Sequence, residues 1–172
     1  MAILERRDKN AVAYLTLNLP KRLNALSDEM LDALQTTFDS FHTDKSVRAI
    51  VLAGAGKAFC AGHDLKQMTE ARKQPDGGAA LFKNLFDRCA DFMQTVQAVP
   101  QPVIAQVHGI ATAAGCQLVA TCDLAVASQE TKFGVNGVNI GLFCSTPMVA
   151  LSRNIGHETT GGQDGNFRTS GQ

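Results

Sequence analysis

The chain has 172 residues, 45% of them hydrophobic, with 16 basic and 16 acidic side chains and no formal net charge. That length supports one hydrophobic core and one domain, and the charge balance removes any electrostatic case for nucleic acid or an anionic membrane. No apolar run approaches a membrane span, and the opening MAILERRDKN has neither a signal-peptide core nor a long Arg/Ser-rich presequence.

Residues 2–19 read as a hairpin: Ile3-Leu4 leads in, Asp8-Lys9-Asn10 turns, and Val12, Tyr14-Leu15 and Leu17 return. Pro20 to Asn24 is a loop. Ser27 is an N-cap, with Asp28 and Glu29 in the first turn to complement the helix dipole. Met30, Leu31, Leu34, Phe38 and Phe41 then make one apolar helical face, and His42 closes it where a cation suits the dipole. Val47 to Ala53 is a short apolar strand closed by Gly54-Ala55-Gly56.

Lys57 to Asp64 reads as a loop. A second amphipathic helix begins near Asp76 and repeats at Leu81, Leu85, Cys89, Phe92, Met93 and Val96. Pro100 and Pro102 end it and admit Val103, Ile104, Ala105 and Val107, a near-continuous apolar run that fits a strand covered on both faces. His108-Gly109 breaks the run. Ala113-Ala114-Gly115 then offers a helix N-terminus with almost no side-chain bulk, and a further strand follows by Ser128. Such a terminus carries roughly half a positive charge and suits a developing anion. Phe133, Val135, Val138 and Ile140 follow with intervening glycines, and Thr146-Pro147 starts a helix at Met148–Leu151. Strands alternating with helices predict an α/β fold with largely parallel pairing. From His157 the chain has one large apolar residue, Phe167, and no periodicity, and reads as a disordered tail.

Five cysteines (Cys60, Cys89, Cys116, Cys122, Cys144) are odd in number, lack CxxC spacing and read as free thiols, with no metal site. No GxSxG or Ser/His/Asp arrangement is present. Glu70 and Glu130 read as surface charges, and His108 as a satisfied interior or loop histidine.

Three segments carry a resemblance. Lys57-Ala58-Phe59-Cys60-Ala61-Gly62-His63-Asp64-Leu65 resembles the first signature of the crotonase (enoyl-CoA hydratase/isomerase) superfamily. Gly109 to Leu118, followed by Cys122-Asp123, is similar to its second, and Asn18 to Leu26 fits the family's start. The resemblance covers residues 1–155. It implies a ClpP/crotonase-like ββα spiral, here a core over 1–156 that stops before the C-terminal helices through which relatives form trimers or hexamers, with 157–172 a non-homologous tail. That helical region also completes the acyl pocket in the family, so an unstable and inactive chain is a third expectation.

The resemblance further implies that the thioester carbonyl of an acyl-CoA sits between the backbone N–H groups of His63 and Ala114. CoA, as part of the substrate and with no separate cofactor, would lie along Arg22, Leu23, Ala25, Ala61, Asp64, Leu65 and Gly115, with Arg22 and Lys57 near its phosphates. Asp64 is at the same time a structural residue of its signature. Hydratases of the family place glutamates where this chain has Gln117 and Gly137, one to activate water and one to protonate the α-carbon. An amide and a glycine do neither, so hydratase activity is expected to be weak or absent. Two other functions are compatible with that loss: decarboxylation of a malonyl-type CoA, which needs no base, and a non-catalytic acyl-CoA-binding or regulatory subunit. Cys116 and Cys144 lie near the expected pocket with nothing basic beside them and read as small hydrophobes. The relatives it most resembles work in the mitochondrial matrix; a bacterial cytoplasm fits equally.

Overall fold

Alternation of apolar and polar residues builds the first sheet. A computed structural model describes residues 2–135, 137, 143–154 and 166–167. β1 (Leu4–Lys9) and β2 (Val12–Leu17) form the expected antiparallel hairpin. β2 then pairs in parallel with β3 (Ala49–Gly54), β3 with β4 (Val103–Val107), and β4 with β6 (Leu124–Ala127), giving the order β1-β2-β3-β4-β6. A smaller sheet joins β5 (Ile110–Thr112), β7 (Lys132–Gly134) and β8 (Asn166–Phe167). The α/β class and the predominance of parallel pairing are as expected. No helix among the described residues is long and apolar enough to cross a membrane.

Helix α1 (Asp28–Phe41) starts where its cap predicts, with the Met30 N–H donating to Ser27 Oγ at 3.3 Å. Its apolar face meets α3 (Ala79–Ala98) and the inner face of the large sheet in a single core. Phe38 stands edge-on to Phe41 at 5.8 Å and to Phe92 at 5.4 Å between ring centroids, a geometry that aromatic quadrupoles favour. Leu15, Leu17, Ile50, Leu52, Val103 and Ala105 supply the sheet side of this core and are fully buried.

Three differences from the sequence expectation concern short elements or the boundary of a long one. Residues Leu65–Ala71 form a helix, α2, ahead of α3. The start of α3 falls at Ala79 rather than Asp76, because the Asp76 carboxylate accepts from the Gly78 and Ala80 N–H groups and so precedes the helix as its anchor. Ile110–Thr112 is a strand whose pairing partner, β7, lies some twenty residues on. Helix α4 (Ala114–Thr121) begins as expected, and α5 (Ser145–Asn154) packs on it around Cys116, Val135 and Leu151. The expected boundary at residue 156 and the tail lie outside the described residues, apart from Asn166–Phe167, whose backbone pairs with β7. Val138 and Ile140 also lie outside them.

Candidate active site

The loop after β3 is threaded between two other segments. On one side, Ala61 N–H donates to the Leu23 carbonyl at 3.0 Å and Leu26 N–H to the Gly62 carbonyl at 2.8 Å. On the other, Cys60 N–H donates to the Ile110 carbonyl at 3.1 Å, and Thr112 N–H to the Cys60 carbonyl at 3.0 Å. Asn24 pins the arrangement from beneath. Fully buried, it donates from Nδ2 to the Ala55 and Ala58 carbonyls, each at 2.8 Å, and accepts from Leu19 N–H at 2.8 Å. Sequence reasoning did not single out this residue; a polar side chain that ends a Pro-initiated turn was the available signal.

These bonds bring Gly62 against the first turn of α4. Gly62 has φ +88°, and a Cβ there would stand 3.0 Å from Ala113 Cβ and 3.2 Å from the Ala114 nitrogen, so glycine is required both by conformation and by space. Gly115 serves the same closeness from the other side, since a Cβ on it would overlap the Cys60 carbonyl. The N–H groups of His63 and Ala114 are thus neighbours, and neither is taken by a backbone acceptor among the described residues. Ala114 is the first residue of α4, whose cap offers no side-chain acceptor, so its N–H is one of the orphan donors of a helix start. Two such donors converging on one oxygen can stabilise an oxyanion by about 3 kcal/mol each.

The side chains around this pair divide into spent and unspent groups. Asp64 is buried, caps α2 by accepting from the Lys66 and Gln67 N–H groups at 2.9 and 3.2 Å, and pairs with the Arg22 guanidinium. Gln117, three residues into α4 from Ala114, is buried, and its Oε1 has no hydrogen-bond partner among the described residues. His63 also has an unpartnered buried atom, Nδ1, and its ring stands edge-on to Phe86 at 5.5 Å. Burial holds its pKa below the ordinary histidine value, with the Leu26 carbonyl and the Asp28 charge opposing. Desolvation pushes the Cys60 thiol up to about 12 and that of Cys116 up to about 11, which keeps both protonated and inert.

The remaining expected site residues are placed as follows. Leu23 takes a left-handed conformation, Ala25 is buried, and Leu65 opens α2 with its side chain exposed. Arg22 borders a cleft of about 480 Å³ between α2 and α3 whose other cations are Lys66, Lys73 and Arg88. Lys57 is exposed. Gly137 is half-buried. His108 Nε2–H donates to the Gly56 carbonyl at 2.7 Å, the satisfied loop role expected of it. Asp123 accepts from Val103 N–H at 2.7 Å and ties the starts of β4 and β6 together. All five cysteines are free, and no group of three or more metal-ligating side chains occurs among the described residues.

The enoyl-CoA hydratase/isomerase family model matches residues 7–162. The chain is 42% identical over 147 residues to the mitochondrial enoyl-CoA hydratase domain-containing protein 3 of Danio rerio, covering 86% of this chain and 49% of the relative. Against its Homo sapiens counterpart the identity is 42% over 149 residues, covering 87% and 48%. Among solved structures, an enoyl-CoA hydratase of Mycobacterium smegmatis is 57% identical with a TM-score of 0.85, covering 92% of this chain and 60% of that one. The human enoyl-CoA hydratase domain-containing protein 3 is 40% identical with a TM-score of 0.81, covering 88% and 58%. The chain therefore spans about half the length of the curated relatives it matches.

Proposed function

Since the chain belongs to the enoyl-CoA hydratase/isomerase family, we propose that it binds an acyl-CoA thioester of fatty acid metabolism and stabilises the enolate of that thioester. The thioester oxygen lies between the His63 and Ala114 N–H groups, with CoA along Arg22, Leu23, Ala25, Ala61, Asp64, Leu65 and Gly115. The observation that carries this reading is the approach of Gly62 to within 3.2 Å, at its Cβ position, of a helix-start nitrogen that has no cap. A site with unused donors and no bulk beside them is built to receive an oxygen.

Hydration needs a group to activate water and a group to protonate carbon. Gln117 and Gly137 stand at the positions where resemblance places those groups, and neither exchanges a proton near neutral pH. Weak or absent hydratase activity follows. The unpartnered, uncharged amide of Gln117 favours a second reading, decarboxylation of a malonyl-type CoA, in which loss of carbon dioxide delivers the enolate without a base. A mitochondrial matrix or bacterial cytoplasmic setting and a trimeric or hexameric assembly belong to the same reading.

Butyryl-CoA is expected to raise the melting temperature of the protein, and Ala114→Pro to abolish the shift. Proline suits a first helical position but removes the N–H. Incubation with crotonyl-CoA and with methylmalonyl-CoA, followed by mass, separates hydration from decarboxylation. Hydration at ordinary enzyme rates that survives Gln117→Ala would overturn the account of the missing carboxylates.

A further inference from the structure

We propose that the imidazole of His63 is the proton-transfer group of this site, taking a proton from the carbon next to the thioester carbonyl. The inference rests on the acyl-thioester reading above and adds a catalytic side chain to it.

Position is the first argument. The His63 Cβ stands only two bonds from the nitrogen proposed to bind the carbonyl oxygen, so the imidazole is attached within reach of the neighbouring acyl carbons. Elimination is the second. In the two turns that form the site, residues 60–64 and 113–117, the Asp64 carboxylate is committed to the α2 cap and to Arg22. The Cys60 and Cys116 thiols are held protonated by burial, and the Gln117 amide has no basic lone pair. His63 is the one side chain of these turns with a basic nitrogen. The third argument is its surroundings. Nδ1 is buried with no partner among the described residues, Phe86 of α3 covers the ring edge-on at 5.5 Å, and the Leu26 carbonyl and the Asp28 carboxylate are the groups that favour its charged form. Desolvation outweighs them and holds the pKa below the ordinary histidine value, which favours the neutral, basic form. An interior histidine serving packing alone would be expected to have its buried nitrogen satisfied.

The step balances within the site. The Cα–H bond breaks, its electron pair forms the carbon–carbon double bond of the enolate, and the carbonyl π pair moves onto the oxygen held by the His63 and Ala114 N–H groups. The proton goes to the imidazole nitrogen. In D2O the imidazolium proton exchanges with solvent, and return of a deuteron from the nitrogen to the α-carbon restores the thioester, so the α-position acquires deuterium.

The test uses the whole 172-residue chain with butyryl-CoA in D2O, following deuterium at the α-carbon by mass and binding by thermal shift. The wild type is expected to exchange its α-protons. His63→Ala and the space-filling His63→Gln keep the backbone N–H and should retain affinity within about threefold. Their exchange should fall by about 100-fold or more, the contribution of a positioned base, and added imidazole should partly rescue His63→Ala. The wild-type rate should be flat through neutral pH and fall only at a pH below the ordinary histidine pKa, as the base becomes protonated. Exchange at the wild-type rate in both variants overturns the inference. If that exchange is lost in Ala114→Pro, the oxyanion reading stands without it. Wild-type protein that binds but does not exchange also overturns it, whereas absence of any thermal shift overturns the acyl-thioester reading and the inference together.

Discussion

Ala113 has φ 50° and ψ −124°, a conformation that an L-residue with a Cβ adopts only under constraint. Its N–H donates to the Gly134 carbonyl at 2.9 Å, which holds the backbone in that turn immediately before α4. Strain of this kind costs about 1–3 kcal/mol and collects at functional sites. Here it lies one residue before the helix-start nitrogen proposed to hold the thioester oxygen. Ala113→Gly is therefore expected to stabilise the fold by about 1 kcal/mol, the relief at positive φ exceeding the extra chain entropy of glycine. Denaturant unfolding of the two proteins checks this, and an unchanged or lower midpoint would show that the turn carries no strain. Nothing in the run of small residues indicated the sign of that φ, since alanine is ordinarily read as helical or extended.

Among the elements, α2 depends most on a single side chain. Of its seven residues only Ala71 is buried, so little apolar area holds it down, and the Asp64 cap supplies the anchor. Loss of an N-cap carboxylate typically costs about 1 kcal/mol, and Asp64 also holds the Arg22 guanidinium. Asp64→Asn should retain the cap and lose the ion pair, whereas Asp64→Ala should lose both and destabilise by about 2 kcal/mol. Equal unfolding midpoints for the two variants would show that the cap contributes nothing. The same weakness explains why α2 was not legible beforehand. A two-turn helix with apolar residues at Leu65, Met68 and Ala71 presents too short a period to separate from a loop. By contrast, α1 and α3 were legible because four or five large residues recur on one face. Strand β5, three residues long, acquires its identity only from β7.

At the scale of the molecule, the large sheet is unequal on its two faces. The register aligns Tyr14, Val51, Ile104 and Leu124 across the face opposite the core, and the edge strand β6 leaves Leu124 61% and Val126 63% exposed. An apolar edge strand is a template for association. Val126→Lys, on the exposed face, should reduce concentration-dependent association by light scattering while leaving the unfolding midpoint within about 0.5 kcal/mol. Unchanged association would place the contact elsewhere.

What the sequence determined by itself was what short-range interactions decide. The Ser27 cap, the 3.6-residue periods of α1 and α3, the hairpin and the break at Gly109 each involve residues within a few positions of one another. The signature segments likewise marked where the site residues lie along the chain. Tertiary structure alone decided that Gly62 meets Ala114, that Arg22 pairs with Asp64 while Asp64 caps α2, and that His63 lies under Phe86 with its Nδ1 unpartnered. Each of those facts is a contact between segments that lie apart in the chain, set by how β3, β4 and α4 pack. Close approach, burial and the pKa shift that follows from burial exist only once that packing is complete, because they are properties of the surroundings rather than of the residue.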